Sequence, residues 1–436
     1  MVMLFYKNKM RLNNNIYTDG IRFYKHIKYL NININKIKLE GAFSFFKKYK
    51  NYSIIGRDHL GCKKIFWGRN RNKILFSNNF IDLSEKIKKN KHSIRSCPPG
   101  FIQFINKRGS IIKKVKISRL SDKNCFFNDL NDHSKKIKKK ILFYLKGIKK
   151  IYGNKVYVCL SGGLDSTIIA CIAAQVFDEV IAVSCSMIRD QDYKLLMSKT
   201  KINFNSRIFS NDFKKAYKIS KTLGIKFQPI YFPSSNCIKD LKKILRACQD
   251  WRDYNVHCAI LNFQIAKGLR SYKKYNNEPV LTGDFMNEYA ADYTSEIING
   301  VEYYPQIKQS NTTKKRFFIK GLDSSDRENG IFNYFNIPIF QPYSFVDLYY
   351  KKLPERYLNK GNIKHELNKK LINNKIYKLI SKKKVRAQVG GNNQGILNYM
   401  VRNKIFQKNL EKMFCKFFNL SKDFISTFIN VGTYKT

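Results

Sequence analysis

The pattern of apolar and polar positions divides the chain into stretches with different predicted structure. From residue 38 to about 105, short apolar runs such as Phe43–Phe46 and Tyr52–Ile55 alternate with turn signals, which is typical of a small β-rich unit. From His133 to Lys149, apolar residues recur at helical spacing. This second stretch predicts a linker helix that leads from the β-rich unit into another domain.

The rest of the chain begins with a continuous apolar run, Val156–Leu160, followed by a glycine-containing loop and a helical run, Thr167–Phe177. Another apolar strand is predicted at Val180–Ser184, and the pattern from about 240 to 430 is mostly helical. Buried strands that alternate with helices are typical of a parallel sheet covered on both faces. We therefore predict an α/β fold. The predicted units are a β domain at 1–110, a lysine-rich linker helix at 111–150 and a parallel-sheet domain at 151–436.

Composition changes this picture little. The 436 residues, 43% of them hydrophobic, suffice for two domains of ordinary size. The chain has 83 Lys+Arg against 31 Asp+Glu, a formal net charge of +52. Such a charge makes nucleic acid a candidate partner. The lysines are spread from end to end together with abundant Asn, Ile, Phe and Tyr. We attribute this charge to the compositional bias of an AT-rich genome and do not expect a nucleic-acid surface.

The cysteine pattern and the hydrophobic runs bear on the environment of the protein. The ten cysteines include no C-x-x-C pair and no repeated spacing, so neither a zinc site nor a disulfide framework is indicated. No apolar run approaches the length of a membrane span. We expect a soluble, reduced, cytoplasmic protein without a membrane partner.

The segment Ser161–Ser166, with the sequence Ser-Gly-Gly-Leu-Asp-Ser, lies between a predicted buried strand and a predicted helix. Backbone N–H groups at such a helix start favour a bound anion, and the glycines Gly162 and Gly163 let the backbone close around phosphate. Asp165 supplies a carboxylate suited to Mg²⁺. The predicted nucleotide-binding residues are Leu160, Ser161, Gly162, Gly163, Leu164, Asp165, Ser166, Val183, Ser184 and Gly283.

This loop has no lysine to reach a γ-phosphate, unlike the G-x-x-x-x-G-K-[ST] loop. It resembles the loop of N-type ATP pyrophosphatases, which implies cleavage of ATP between its α and β phosphates and transfer of AMP to a substrate. Asparagine synthetases, GMP synthetase, NAD synthetase and several tRNA-modifying enzymes have such a loop, so the loop alone does not choose among them.

Further segments resemble the glutamine-dependent asparagine synthetases. Gly56–Phe66 contains an Arg-Asp-x-x-Gly turn, and Ser96–Gly100 contains a Pro-Pro-Gly turn. Gly283–Tyr293 aligns on the family's Gly-Glu-Gly-x-Asp-Glu-x-x-Gly-Gly-Tyr, although Asn287 stands where the family has aspartate. The resemblance implies a PP-loop synthetase domain preceded by a truncated remnant of an N-terminal-nucleophile glutaminase domain.

The carboxyl-terminal third extends the resemblance. Asp326–Glu328 and Gln341–Asp347 are similar to the family's Asp-Arg and Pro-Phe-Leu-Asp elements, and Lys364–Leu367 fits its Lys-His-x-Leu. The same register places Lys384 on the lysine of a second basic motif and Gly390 on a later glycine. By this resemblance, the catalytic residues are Lys364, Asp284 and Glu288, the metal ligands are Asp165 and Asp284, and the cofactors are ATP and Mg²⁺.

The expected nitrogen source differs from that of the glutamine-dependent family members. A glutamine-using member carries its cysteine nucleophile directly after the initiator Met, whereas this chain has Val2, and its first cysteine is Cys62. We therefore expect no glutamine hydrolysis. The partners expected are a small-molecule carboxylate and ammonia or an amine, with a separate glutaminase or ammonia source and a homodimer left open.

Three other functions stay open at this point. The amine could belong to the substrate itself, as in the β-lactam synthetases and lasso-peptide cyclases, which resemble asparagine synthetase. A tRNA-modifying enzyme would use the same adenylating loop and the positive charge. A protein that binds ATP without catalysis would explain the departures within Gly283–Tyr293.

Overall fold

The computed structural model describes residues 3–4, 11–13, 16–19, 43–58, 61–71, 73–87, 91–117, 129–290, 296–298, 301–303, 327–345, 363–380 and 395–429. Within them the fold is mixed α/β, with an antiparallel β-rich amino-terminal region and a parallel sheet after it. The predicted fold class is confirmed.

Ten strands form the described amino-terminal region. Strands β1 to β10 are Met3–Leu4, Arg11–Asn13, Ile16–Asp19, Ser44–Lys48, Tyr52–Arg57, Phe66–Asn70, Lys73–Ser77, Arg95–Ser96, Phe101–Asn106 and Ile111–Lys116. They make one sheet in the order β10-β9-β5-β4-β3-β2 and another in the order β1-β7-β6-β8. Alternate apolar side chains from both sheets share one buried cluster, consisting of Phe46, Ile55, Ile65, Trp67, Ile74, Phe76, Cys97 and Ile105. The two sheets therefore pack face to face.

Strand β10 corrects one expectation about the lysine-rich stretch. Ile111–Lys116 pairs antiparallel with Phe101–Asn106 and belongs to the sheet, whereas the pattern assigned this segment to a linker helix. Its side chains are mostly exposed, because β10 lies at the edge of the sheet, and exposed lysines mask the strand pattern.

The parallel sheet has the order β13-β12-β11-β14-β17 among the described residues. Its strands are β11 Lys155–Cys159, β12 Glu179–Ile188, β13 Lys226–Pro233, β14 Val280–Leu281 and β17 Ile339–Phe340, while β15 Glu296–Ile298 and β16 Val301–Tyr303 pair separately. The chain runs outward from β11 through β12 to β13 and later returns to the other side of β11 with β14. The carboxyl ends of β11 and β14 therefore flank a topological switch point, where α/β proteins bind ligands.

Fourteen helices with assigned bounds lie in the described part of the chain. Helices α1 to α14 are Phe80–Lys86, Leu130–Tyr152, Leu164–Ala173, Asp190–Met197, Asn211–Leu223, Asn236–Lys239, Leu241–Cys248, Asp253–Ser271, Met286–Ala290, Ile363–Asn368, Asn374–Tyr377, Ile396–Arg402, Gln407–Phe418 and Lys422–Ile429. Residues 327–334 are also helical, and 3₁₀ turns occur at Lys91–Ser93, Pro342–Phe345 and Lys369–Leu371. None of the described helices combines the length and apolar character that a bilayer crossing requires.

Helix α2 is the helix predicted between 133 and 149, and it packs on the parallel-sheet region. It begins after Asp129, whose side chain accepts from the Asn131 N–H, and it ends at Gly153 with φ 90°. The buried face consists of His133, Ser134, Ile137, Ile141, Tyr144, Leu145 and Ile148. Its apolar members share a cluster with the residues of α3. The helix therefore supports the loop region directly.

The amino-terminal region docks on the carboxyl-terminal helices through a shared core. Phe80 of α1 stacks on Phe428 of α14 with ring centroids 4.9 Å apart. Arg246 of α7 donates to Asp82 at 2.9 Å, and Gln249 accepts from the Phe80 N–H at 2.9 Å. A continuous buried cluster therefore joins the two regions. The domain boundaries themselves stay a prediction.

Candidate active site

The pyrophosphate loop leaves the carboxyl end of β11, and α3 follows it directly. The Leu160 N–H donates to the Val183 carbonyl at 2.8 Å, which continues the strand pairing one residue past β11. Gly162 has φ 75°, and a Cβ there would lie 2.6 Å from the Cβ of Lys215. Glycine is required at this turn for both reasons. The turn brings the positive end of α3 to the switch point, where it favours an anion.

Hydroxyl groups hold the loop in shape. The Oγ atoms of Ser161 and Ser166 are 3.0 Å apart, and Ser166 Oγ accepts from the Ser161 N–H at 3.2 Å. Thr167 Oγ1 donates to the Gly163 carbonyl at 2.7 Å. These contacts join both ends of the predicted hexapeptide, so the loop is ordered by its own side chains.

Lys364, Asp165 and Asn287 meet at the start of α3. Lys364 Nζ donates to Asp165 Oδ2 at 2.5 Å and to Asn287 Oδ1 at 2.6 Å. Lys364 is only 5% exposed. The second oxygen of the aspartate, Asp165 Oδ1, is buried and accepts no hydrogen bond from the described part of the chain. Residues that lie far apart in sequence are thus brought together around one ammonium group.

Helix α2 anchors the two helices that carry this cluster. Ser134 Oγ donates to the Leu367 carbonyl of α10, the helix that contains Lys364. The Tyr289 hydroxyl of α9 lies 2.7 Å from Nε2 of the buried His133. Both contacts are buried, and they fix α9 and α10 relative to the same helix.

Gly283 lies directly against the first turn of α3. A Cβ at this position would lie 2.7 Å from Ser166 N and 2.8 Å from the carbonyl carbon of Asp165. These neighbours are backbone atoms, which cannot move without displacing the loop. The glycine therefore lets the loop after β14 approach the pyrophosphate loop.

Asp284 follows Gly283 and belongs to an acidic group. Its Oδ2 accepts from Thr282 Oγ1 at 2.7 Å and from Asn329 Nδ2 at 2.9 Å. Burial, followed by the charges of Asp284 and Glu288, raises the pKa of Glu328 well above its ordinary value. The predicted base candidates Asp284 and Glu288 therefore lie near Glu328, whose protonated form they favour and to which we assigned no role from the sequence.

Val183 and Ser184, predicted to contact adenine, lie on β12 beside the loop. Val183 pairs with Cys159, the last residue of β11. Ser184 is therefore the first residue of β12 beyond the end of β11, beside the start of the loop. Both residues are buried. The strand was predicted to end at Ser184 but continues to Ile188, because β13 pairs with it over its whole carboxyl-terminal half.

Two other residues near the loop were not predicted from the sequence. Burial raises the pKa of Asp212 to about 6, against the opposing charge of Lys215, and the Asp212 carbonyl faces Gly162. Tyr343 is buried, and its hydroxyl makes no hydrogen bond to the described residues. After burial, the charge of Asp165 contributes most to raising its pKa. Tyr343 lies within a quoted motif, whereas no sequence signal pointed to Asp212.

The two amino-terminal motifs come together in the structure. Gly61 has φ 73°, and a Cβ there would lie 2.8 Å from Cγ of Pro99. The Gly100 N–H donates to the Asp58 carbonyl at 2.8 Å. Arg57 donates to the Gly61 carbonyl at 2.6 Å. The Arg-Asp-x-x-Gly and Pro-Pro-Gly turns therefore form one structural unit.

Several positions named from the sequence lie outside the described residues. They are Val2, Asp292, Tyr293, Asp326, Val346, Asp347, Lys384 and Gly390. Within the described residues, no group of three or more His, Cys, Asp or Glu side chains is arranged to hold a metal ion. The assignment of Asp165 and Asp284 as metal ligands stays a prediction.

Comparison with known proteins agrees with the loop geometry. The sequence model of the asparagine synthase family matches residues 153–292, which include the pyrophosphate loop and the segment from Gly283 to Asp292. The resemblance drawn from the motifs is confirmed for this segment. The match indicates a synthetase or ligase that uses ATP.

Two further comparisons add little. No curated protein matches the chain significantly. Among solved structures, NMN synthetase from Francisella tularensis is similar over 67% of this chain and 95% of its own, with 14% identity and a TM-score of 0.25. At this TM-score the likeness has no bearing on the fold or the function.

Proposed function

We propose that this chain makes an amide bond through an acyl-adenylate, at the cost of ATP, and releases AMP and pyrophosphate. The contact of Lys364 with Asp165 supports this proposal most directly. It provides a buried ammonium group next to the amino terminus of α3, at the switch point of the parallel sheet. Positive charge fixed at this position favours an anion that leaves as pyrophosphate.

The proposed reaction has two steps. An oxygen of the substrate carboxylate attacks the α-phosphorus of ATP, forms an O–P bond and breaks the bond to the β-phosphate oxygen. A neutral amine then attacks the acyl carbon, and AMP leaves with that carboxylate oxygen. Lys364 offsets negative charge in both steps. Asp284 or Glu288 takes the proton that the amine loses.

Magnesium fits one part of this site. Among the residues that the structure describes, none donates a hydrogen bond to the buried Asp165 Oδ1, so this oxygen is available as a carboxylate ligand. Bound Mg²⁺ would offset the charge of the phosphates. The backbone of Gly162 and Gly163 would hold the pyrophosphate itself, and Val183 and Ser184 would border the adenine.

For the nitrogen source we propose ammonia or an amine as the nucleophile. The carboxylate partner is a small acid, with aspartate as the first candidate. No observation favours the tRNA-modifying alternative over this one.

The test is carboxylate-dependent ATP turnover. Purified protein is incubated with ATP, Mg²⁺ and a panel of carboxylic acids, with aspartate plus ammonia first, and nucleotide products are separated. We expect AMP and pyrophosphate with the correct acid, and a strong loss in Asp165→Asn and Lys364→Ala. Lys369→Ala, at an exposed lysine of the neighbouring turn, is the matched control. Release of ADP, or undiminished rates in both site variants, would exclude the proposal.

A further inference from the structure

The ammonium group of Lys364 takes a place between two oxygens that would otherwise suit a divalent cation. Asp165 Oδ2 and Asn287 Oδ1 both point at Lys364 Nζ, at 2.5 and 2.6 Å. A carboxylate and an amide oxygen are hard ligands of the kind that Mg²⁺ and Mn²⁺ prefer. We propose that Lys364 fills this cation position permanently, and that Asn287 is the residue that selects the lysine over a second metal ion. The proposal deepens the proposed function, because it concerns the same site.

The charge of the group supports this selection. Asp165 carries one negative charge, Asn287 none and Lys364 one positive charge, so the three side chains are neutral together. A divalent cation added to them would leave two uncompensated positive charges in a poorly hydrated place. With aspartate at 287, the same group would carry a net negative charge and attract such a cation. The neutral amide therefore matches a single positive charge and disfavours two.

The position of the lysine is fixed by the fold. Lys364 is 5% exposed, and its helix is held by Asn368, whose Nδ2 donates to the Lys364 carbonyl at 2.9 Å. Ser134 of α2 donates to the neighbouring Leu367 carbonyl. Because the Lys364 side chain is buried and its helix is anchored to α2, the ammonium group stays in place. The remaining buried oxygen, Asp165 Oδ1, is then available for one metal ion that arrives with ATP.

The experiment measures Mn²⁺ binding to the nucleotide-free protein by electron paramagnetic resonance of the free ion. We expect weak binding by the wild type and binding at least about tenfold tighter in Asn287→Asp, which is about 1.4 kcal/mol. Lys364→Ala also gains affinity, because it leaves the Asp165 carboxylate without its cation. Asn374→Asp adds the same charge at an exposed position and serves as the control.

Two results would overturn the proposal. The first is tight Mn²⁺ binding by the wild type that Asp165→Asn abolishes. The second is an unchanged affinity in both Asn287→Asp and Lys364→Ala, with circular dichroism showing that both variants are folded. Because the measurement contains neither ATP nor a substrate acid, its result is independent of whether the chain makes an amide.

Discussion

The two motif-bearing aspartates of this chain use their oxygens in opposite ways. Asp58, in the amino-terminal region, is fully buried, and its oxygens accept from the backbone N–H groups of Cys62, Lys63 and Phe43 at 3.0, 3.1 and 3.3 Å. Asp165, in the pyrophosphate loop, has one oxygen on a lysine and the other buried without any hydrogen bond. Both lie in turns that the sequence marks clearly.

The difference separates a structural carboxylate from one available for chemistry. The acceptors of Asp58 are used by its own chain, and the neighbouring Arg57 donates to the Gly61 carbonyl. Such an arrangement holds a turn together and offers nothing to a ligand. Asp165 binds the Lys364 ammonium group with one oxygen, and its second oxygen can still accept a bond from a ligand. This arrangement is expected where charge develops during a reaction.

Loss of the cation gives the largest expected effect. Lys364→Met should lower turnover about 10²–10³-fold, because one fixed electrostatic donor to the transition state is removed. The protein should still fold, as shown by circular dichroism. Lys369→Met, which changes an exposed lysine, should have normal turnover. Equal turnover in both variants would contradict the functional role of the Lys364–Asp165 pair.

Loss of the structural carboxylate acts on stability. Asp58→Ala leaves three buried N–H groups without an acceptor and should lower the free energy of unfolding by about 3 kcal/mol or more. Urea denaturation followed by fluorescence measures this change. Asp165→Asn is the paired variant, and it should lose turnover with a smaller change in stability. The comparison fails if Asp165→Asn destabilises the protein as much as Asp58→Ala does.

The stability that Asp58 contributes should also depend on pH. Burial raises the pKa of Asp58 from 3.8 to about 6, although Cys62, Arg57 and other groups oppose it. The folded state therefore holds this proton more tightly than the unfolded state. The stability that Asp58 contributes is fully present below its ordinary pKa, that of the unfolded state. This stability is lost, by about 3 kcal/mol, as the pH rises through the raised pKa of the folded state.

This pH effect is isolated by Asp58→Asn, which has no proton to lose. Unfolding free energies of the wild type and the variant are measured by urea denaturation at several pH values between the two pKa values and above them. The advantage of the wild type over the variant should shrink as the pH rises. An advantage that stays constant or grows would show that burial does not control this carboxyl group.

The smallest effect is expected at Gly283. Gly283→Ala places a methyl group 2.7 Å from Ser166 N, so the pyrophosphate loop must shift, at a cost of about 1–3 kcal/mol. The affinity for ATP, measured by calorimetry, should fall. Gly224→Ala is the control: this glycine has φ 67° with nothing within 4 Å, so it should lose stability and keep ATP affinity. Unchanged ATP affinity in Gly283→Ala would show that the close approach of Gly283 to the pyrophosphate loop does not matter for ATP binding.

The sequence predicted those parts of the molecule that depend on neighbours along the chain. Ser161–Ser166 forms its turn through its own glycines and hydroxyls, and α2 follows from helical spacing. The strand Ile111–Lys116 was missed because an exposed edge strand needs no alternating apolar face. Local pattern therefore predicts buried elements better than exposed ones.

The parts that could not be predicted depend on contacts between distant segments. Lys364 was chosen among many lysines by its motif, but its contact with Asn287 spans 77 positions and follows only from the packing of α9 and α10. The proximity of Glu328 to Asp284 likewise depends on how the helix at 327–334 meets the loop after β14. Such contacts leave no periodicity in the sequence.

The central claim is that ATP activates a carboxylate as its adenylate at the loop containing Asp165. The most direct measurement uses the substrate acid labelled with ¹⁸O in both carboxylate oxygens, with phosphorus NMR of the products. The account predicts one ¹⁸O atom in AMP, none in pyrophosphate, and label transfer about 10²–10³-fold slower in Lys364→Met. Label in inorganic phosphate together with ADP, or AMP without label, would contradict it.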